Sequence, residues 1–217
     1  IQAAADCGVD AVKFQTHLFE AESLPDAPNP PYFKGGETRK AYFDRTGFTV
    51  EEWKELKNFT ENNCHIEFLA SPFSLEAVEI LEKVGVKRYK IASGEVNNLP
   101  MLKKIAKTGK GVILSSGMST WKEIDKAVAV LKEDGCNDLV ILQCTSEYPC
   151  KPRSAGLNLL KEIKTRYQTN VGFSDHTIGF AIPIAAVCMG ATIIEKHFTL
   201  SKLMYGPDAR FSMTPDE

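Results

Sequence analysis

The chain has 217 residues, of which 43% are hydrophobic, 25% charged and 9% aromatic. This composition is typical of a globular protein and excludes disordered, collagen-like and low-complexity chains. Its 26 basic and 28 acidic residues leave a net charge of −2, so no overall basic field exists to hold nucleic acid or an anionic membrane. Any anionic ligand must therefore meet locally placed cations.

Neither end of the chain has the features of a natural terminus. It begins at Ile1 without a signal sequence and stops at Glu217, so we expect it to be the middle of a longer protein. The longest uncharged stretch, 177–194, contains two glycines and a proline and predicts a buried helix followed by a strand rather than a membrane span. The six cysteines form no CxxC pair, which favours buried thiols in a reducing cytoplasm over a disulfide framework.

Short β-branched runs alternate with amphipathic segments along the chain, which predicts parallel strands connected by helices. The predicted strands are Ala11–Gln15, Glu67–Ser71, Arg88–Ala92, Gly111–Ser115, Leu139–Gln143, Asn170–Phe173 and Thr192–His197. The predicted helices are Val50–Asn63, Leu75–Val84, Leu99–Thr108, Thr120–Asp134, Asn158–Tyr167 and Ile178–Met189.

Capping patterns support several of these helix ends. Thr49 and Glu52 have the spacing of a capping box, and Ser119 with Lys122 occupies the corresponding place before a later helix. Glycines follow three of the predicted helices, as helix C-caps do; they are Gly85, Gly109 and Gly135. A proline-rich segment, 25–32, predicts a rigid loop insertion in the long gap between the first two strands.

Seven strands fit both a doubly wound sheet and a (β/α)8 TIM barrel. Polar residues lie at the carboxyl end of every predicted strand, beginning with Gln15 and Ser71 and ending with His176 and His197. A barrel builds its active site from all of its βα loops, whereas a doubly wound sheet uses the strands near its switch point. The sequence therefore favours a TIM barrel. Because such a barrel takes about 250 residues, we expect the first strand and the last helix to be missing from residues 1–217.

Serines at the strand ends indicate a phosphate site. Ser71, Ser93, Ser115 and Ser174 follow four different strands, and glycines accompany the serines in the Ser93–Gly94 and Ser116–Gly117 turns. Hydroxyls combined with closely approaching backbone amides bind anions without a P-loop. A small phosphorylated metabolite is the expected ligand.

Two lysines, Lys13 and Lys90, lie inside apolar strands. Alternation places Lys13 on the same face as Gln15, toward the barrel interior or its mouth. A buried lysine must be paired, or burial would lower its pKa. Three roles remain open: counter-ion to a substrate phosphate or carboxylate, Schiff-base nucleophile, and member of a structural ion pair.

Two of the four histidines, His176 and His197, end neighbouring predicted strands. Such strand ends lie about 5 Å apart, so the two imidazoles can share one divalent ion with positions left open for water and substrate. Glu195 lies on the same strand face as His197 and is a further ligand or a partner of one. His17 and His65 have no comparable context.

Several carboxylates are candidates for acid–base chemistry beside a metal and a phosphate. Glu95 and Glu147 lie in the turns that follow two predicted strands and are the strongest candidates. Asp175 and Asp208 come next.

The succession of strand-end motifs resembles the sialic acid synthase family along essentially the whole chain. The motifs are Val12–Thr16, Ser71–Phe73, Lys90–Glu95, Leu114–Met118, Gln143–Pro149, Ser174–His176 and Glu195–Leu200. Members of that family condense phosphoenolpyruvate with an N-acylated amino-sugar aldehyde, giving a nine-carbon 2-keto acid and phosphate, and use Mn²⁺ or Mg²⁺.

The resemblance implies roles for individual residues. His176 and His197 would bind the metal, and Glu95 would lie near the reacting carbons. The phosphate and carboxylate of phosphoenolpyruvate would be held by Lys13, Ser71, Lys90, Ser93, Ser115, Ser146 and Ser174, and the sugar side would be lined by Gln15, Tyr148 and Asp208. Phe33–Gly36 and Arg39–Phe48 would shape the sugar pocket.

The resemblance also implies a cytoplasmic homodimer with no nucleic-acid or membrane partner, and a C-terminal antifreeze-like domain that residues 1–217 lack. Two other functions stay open. One is a Schiff-base aldolase that acts on pyruvate and a sugar aldehyde through Lys90 or Lys13. The other is a barrel that binds a sugar phosphate without catalysis.

Overall fold

The computed structural model describes residues 1–28 and 37–217, which divide into two compact units, residues 1–89 and 90–217. Seven strands alternate with helices along the chain, and every strand pairing with a defined register is parallel. The predicted α/β class and all seven predicted strands are thereby confirmed, with each strand boundary within two residues of its predicted position.

The first unit contains the helices and strands up to the start of β3. They are α1 (Gln2–Asp6), β1 (Ala11–Thr16), α2 (Phe19–Glu22), α3 (Arg39–Thr46), α4 (Val50–Asn58), β2 (Glu67–Pro72), α5 (Leu75–Val84) and β3 (Arg88–Ile91), which crosses the division. A π-helical turn at Phe59–Asn63 continues α4. Helices α1, α2 and α3 were not predicted, since each is short or lacks an apolar stripe.

Aromatic packing forms part of the core of the first unit. Phe14 of β1 stacks on Phe68 of β2 with ring centroids 5.6 Å apart, and Trp53 of α4 meets Phe14 edge-on at 5.9 Å. Because side chains alternate along a strand, Lys13 and Gln15 lie on the face of β1 opposite Phe14. The predicted capping box of Thr49 and Glu52 is present at the start of α4.

The second unit continues the alternation. It contains α6 (Leu99–Ala106), β4 (Gly111–Ser115), α7 (Trp121–Glu133), β5 (Leu139–Cys144), α8 (Leu159–Tyr167), β6 (Asn170–Asp175), α9 (Ala181–Cys188) and β7 (Ile193–Lys196), with short 3-10 turns at Ser93–Glu95, Pro152–Ser154 and Ala209–Phe211. Strands β4, β5, β6 and β7 pair in that order. Their carboxyl ends therefore meet at one edge of the sheet.

Two local predictions for this unit are wrong. Helix α7 is capped by Thr120 with Glu123 in a capping box, not by Ser119 with Lys122, because the chain enters the helix one residue later than the pattern predicted. The segment 177–194 does contain a helix and a strand, but α9 is not buried: Ile184 and Val187 are 56% and 54% exposed. A helix that is apolar all round is expected to be buried, yet the described residues cover only one side of α9.

The cysteines follow the prediction in part. All six thiols are free, and Cys136, Cys144 and Cys150 are buried, whereas Cys7 and Cys188 are exposed. Within the described ranges no helix is both long and apolar enough to cross a membrane.

Candidate active site

Polar side chains gather at the carboxyl ends of the strands of the second unit. Cys144 of β5 pairs in register with Ser174 of β6, and Ser174 pairs with Glu195 of β7. Apolar residues in the middle of the same strands, such as Ile141 and Phe173, are buried. The burial of apolar residues fixes the register, and the register brings the polar side chains at the strand ends together.

Lys90 is the buried cation of this group. It is 4% exposed, and its Nζ lies 2.7 Å from Ser115 Oγ and 3.1 Å from Glu195 Oε2. The expectation that a lysine inside an apolar strand must be paired is confirmed at this position. A buried charge is tolerated only with such partners, and removal of one partner leaves the other uncompensated.

Gly117 sits where a set of hydroxyls converges. A Cβ at this glycine would lie 2.6 Å from Ser93 Oγ, 2.7 Å from Ser146 Oγ and 3.1 Å from Cys144 Sγ. The absence of a side chain therefore lets two hydroxyls close over the backbone of the β4–α7 turn. Ser93 Oγ also donates to Cys144 Sγ over 3.4 Å. We call Ser93, Ser146, Gly117 and Cys144 the hydroxyl cradle.

The two predicted metal ligands lie side by side, with the ring centroids of His176 and His197 5.5 Å apart. Nδ1 of His176 lies 2.9 Å from the carbonyl oxygen of Thr145, and Nδ1 of His197 lies 3.7 Å from Asp208 Oδ2. A contact at Nδ1 such as that of His176 orients an imidazole ring, whereas the 3.7 Å contact of His197 with Asp208 is longer than a hydrogen bond.

The spacing of the rings tests whether the two histidines fit one ion. Nitrogens about 2.1 Å from a shared ion place the ring centres about 5 Å apart, close to the observed separation. No group of three or more His, Cys, Asp or Glu side chains in the described parts of the chain is arranged to hold a metal. Two imidazoles at this separation fit the coordination of one divalent ion.

Aromatic rings surround the histidines. Tyr148 lies 4.1 Å from the His176 ring and 5.6 Å from the Phe211 ring, and Phe211 meets His197 edge-on at 5.8 Å. Tyr148 was a predicted site residue, whereas Phe211 was missed because it comes from a 3-10 turn with no motif in the sequence.

Cys144 joins the hydroxyl cradle to the histidine pair. Burial opposes ionisation of both Cys144 and His176, yet the hydrogen bond between them favours the thiolate and the imidazolium. The pKa of Cys144 is therefore lowered and that of His176 raised. Sequence reasoning did not assign Cys144 a role, although its place at the end of a strand was a usable signal.

The candidate carboxylates differ in their environments. Glu95 accepts a hydrogen bond from Asn98 Nδ2 at 2.9 Å, and Glu147 accepts one from the backbone amide of Lys151 at 3.3 Å. Asp208 is near His197, as described above. Asp175 is 1% exposed and bonds to Lys196, so its oxygens are engaged away from solvent. Its place among the candidate carboxylates stays a prediction.

The remaining predicted residues lie in the first unit. Gln15 and Ser71 are directly paired in the register of β1 and β2. Lys13 lies two residues before Gln15, on the same face of β1. Ser71 Oγ is buried without a hydrogen-bond partner among the described residues, which is the expected state of a hydroxyl that awaits a ligand. Phe33–Gly36 lie outside the described residues.

Comparison with known proteins identifies the family. The model of the NeuB family matches residues 1–217, so the chain belongs to the NeuB family. It is 41% identical over 223 residues to N,N'-diacetyllegionaminic acid synthase of Campylobacter jejuni, covering all of this chain and 66% of that protein. It is 35% identical over 224 residues to human N-acetylneuraminate-9-phosphate synthase, covering 61% of that protein.

A solved structure agrees with the fold. The crystal structure of N-acetylneuraminic acid synthetase from Leptospira borgpetersenii, in complex with citrate, superimposes with a TM-score of 0.86 at 33% identity, over all of this chain and 72% of that one. The family resemblance noted in the sequence is thereby confirmed. The chain spans 61% to 66% of the length of the most similar curated relatives.

Proposed function

We propose that this chain carries the catalytic part of a synthase that condenses phosphoenolpyruvate with an N-acylated amino-sugar aldehyde. The products are a nine-carbon 2-keto sugar acid and phosphate. The observation that carries the proposal is the arrangement within residues 90–217, where a buried lysine, a hydroxyl cradle and a histidine pair share one edge of the sheet. The proposal is supported by two relatives, which are named as synthases of N,N'-diacetyllegionaminic acid and of N-acetylneuraminate 9-phosphate.

The anionic substrate would be held by groups that need not move. Lys90, oriented by Ser115 and Glu195, supplies a fixed positive charge, and the hydroxyls of Ser93 and Ser146 supply donors beside the Gly117 turn. Preorganised charge and donors of this kind stabilise developing charge without reorganisation during the reaction. Ser174 belongs to the same proposed site, and the assignments of Lys13, Gln15 and Ser71 rest on the family resemblance.

Mn²⁺ or Mg²⁺ held by His176 and His197 would supply Lewis-acid polarisation of the aldehyde oxygen. Carbon 3 of phosphoenolpyruvate forms a bond to the aldehyde carbon, and water adds to carbon 2. Phosphate then leaves by cleavage of the C–O bond, as the 2-keto group forms. Glu95 is assigned the proton transfer at the new hydroxyl or at the attacking water, while Tyr148 and Asp208 orient the sugar.

The fold proposed for the whole catalytic domain is a closed (β/α)8 barrel, with the first strand and the last helix contributed by sequence outside residues 1–217. A cytoplasmic location and a homodimer, both implied by the family resemblance, belong to the same proposal. Which amino sugar is the acceptor depends on residues that include Phe33–Gly36.

The test is phosphate release from phosphoenolpyruvate, measured with a panel of N-acylated amino sugars in the presence of Mn²⁺ and again with a chelator. Phosphoenolpyruvate labelled with ¹⁸O at the bridging position should deliver the label to phosphate if the C–O bond breaks. Retention of the label in the keto acid would contradict this mechanism. Full activity in the chelator would remove the metal from the proposal.

A Schiff-base aldolase is separated by borohydride trapping with pyruvate. Lys90 Nζ already forms an ion pair with the carboxylate of Glu195, which favours a positioned counter-ion over a nucleophile. We expect no covalent adduct. A stable adduct at Lys90 or Lys13 would favour the aldolase, and binding of phosphoenolpyruvate without turnover on any sugar would favour a non-catalytic barrel.

A further inference from the structure

The residues that directly precede the two histidines form a buried ion pair. Asp175 ends β6 and Lys196 ends β7, and the two are partners in the register of the sheet. His176 and His197 directly follow the ends of the two strands. Isolated bridges continue the extended pairing just beyond both histidines, so side-chain alternation places the ion pair on the opposite face from the imidazoles.

The ion pair contacts the residues on both sides of His176. Lys196 Nζ donates to Asp175 Oδ2 at 2.5 Å and to the carbonyl oxygen of Thr177 at 2.6 Å. Asp175 Oδ1 accepts from the backbone amide of Thr177 at 2.9 Å. A single ammonium on β7 therefore holds the residues before and after His176.

Each histidine is also held to its own neighbouring loop through the backbone. The amide of Cys150 donates to the carbonyl of His176 at 2.8 Å, and the amide of Met213 donates to the carbonyl of His197 at 2.9 Å. These bonds fix each histidine separately. The ion pair adds a side-chain link between the two strand ends themselves.

Stability alone is a poor explanation for this pair. The Asp175 side chain is fully buried and that of Lys196 is 11% exposed, and the desolvation of two such charges commonly cancels their attraction, so that a hydrophobic replacement can be as stable. The pair does, however, impose one geometry on the residues next to the imidazoles. Metal affinity depends on the orientation that such outer contacts give to the ligands.

We propose that Asp175 and Lys196 are positioning residues that set the separation and orientation of His176 and His197 for a shared divalent cation. They act through the backbone and touch neither substrate nor ion. This inference rests on the proposed function, because it takes the histidine pair as the metal site.

The main test is the double variant D175N/K196M, which removes both charges and leaves the net charge unchanged. Mn²⁺ binding is measured by electron paramagnetic resonance titration, and folding by thermal unfolding. We expect the Kd for Mn²⁺ to rise about 10- to 100-fold. The matched control is D125N/R166M, at the exposed ion pair between α7 and α8, for which we expect a Kd within about twofold of the unaltered protein, since that pair is remote from the strand ends.

A second variant, K196Q, keeps the proposal testable if the double variant does not fold, because glutamine retains a donor. Removal of a positive charge near the site would by electrostatics alone tighten Mn²⁺ binding, whereas loss of positioning weakens it. The two explanations therefore predict opposite signs. Tighter binding by K196Q, or a folded double variant with unchanged Kd, would overturn the proposal.

Ring ¹⁵N signals of the four histidines give a readout that does not depend on metal. In both variants we expect the signals of His176 and His197 to shift or broaden and those of His17 and His65 to stay in place. Absence of Mn²⁺ binding by the unaltered protein would refute the metal site under the proposed function. The ring signals would then still decide whether the ion pair positions the imidazoles, and unchanged signals would count against it.

Discussion

Substitution of Gly117 by alanine is the sharpest test of the hydroxyl cradle. The added Cβ would lie 2.6 Å from Ser93 Oγ and 2.7 Å from Ser146 Oγ, whereas ordinary contact begins at 3.4 Å. Both hydroxyls would therefore have to withdraw by about 0.7 to 0.8 Å, a large fraction of a hydrogen-bond length. Gly117 has no positive φ, so the backbone itself accepts alanine. The perturbation falls on the two serines and, more weakly, on Cys144 Sγ at 3.1 Å.

The expected magnitudes separate binding from stability. Each hydroxyl can rotate away, which limits the overpacking cost to the low end of about 1–3 kcal/mol. Alanine also restricts the unfolded chain more than glycine does, and this stabilises the folded state by about 0.4–1 kcal/mol. We thus expect the free energy of unfolding to change by about 1 kcal/mol or less. A displacement near 1 Å in a positioned site can cost about 100-fold, so the KM for phosphoenolpyruvate should rise about 10- to 100-fold.

The assay is steady-state phosphate release together with calorimetric binding of phosphoenolpyruvate and urea unfolding. In the triple variant G117A/S93A/S146A, the two closest clashes are gone but so are the donors, and the 3.1 Å contact with Cys144 Sγ stays. Its stability should return to that of the unaltered protein while its KM stays high. A KM for G117A within about twofold of the unaltered protein would refute the reasoning, because the cradle would then not contact the substrate.

Three further predictions test the site and the fold, two of them with a matched control substitution. H197A removes one of the two imidazoles and should abolish both Mn²⁺ binding and Mn²⁺-dependent phosphate release, whereas turnover that persists in H197A would refute the ligand assignment. T120A should lower the free energy of unfolding in urea by about 1 kcal/mol, because it removes the observed cap of α7. The control S119A should change it by about 0.5 kcal/mol or less. A larger loss in S119A than in T120A would show that Ser119 is the cap. L81A opens a cavity at a residue with no exposed surface and should lower the free energy of unfolding by about 2–5 kcal/mol. L75A, at a side chain that is 40% exposed, should lower it clearly less. Equal losses of stability in the two variants would contradict the burial argument.

Much of the fold follows from local sequence patterns. The β-branched runs gave all seven strands, because a buried parallel strand needs a continuous apolar segment of limited length. The box of Thr49 and Glu52 was predictable, since both partners lie within one helical turn. The cap of α7 was misplaced because Ser119 and Thr120 are adjacent and both can cap, and only the path of the chain into the helix decides between them.

Burial of α9 could not be read from its composition. The helix is apolar on all sides, which predicts burial, but Ile184 and Val187 are more than half exposed in the described structure. Hydrophobicity states what a segment prefers to contact, whereas exposure depends on which other elements are there to cover it.

The candidate site shows the same division. Recurrent serines after successive strands, lysines inside strands and two histidines at neighbouring strand ends are properties of the sequence, because parallel strands with short connections bring their carboxyl ends together. The partners of these residues were decided by the tertiary structure. Lys90 pairs with Glu195, which is far from it in the chain. Cys144 likewise contacts Ser93 and His176, which come from other strand ends.

The sequence by itself therefore determined the family, the alternation of strands and helices, and the residue types that can hold an anion and a cation. Only the tertiary structure showed that Asp175 is buried and pairs with Lys196, and that Gly117 leaves room for two hydroxyls. The physical reason is that local periodicity specifies which face of an element is apolar, whereas the partner of a polar side chain is set by register and packing between elements.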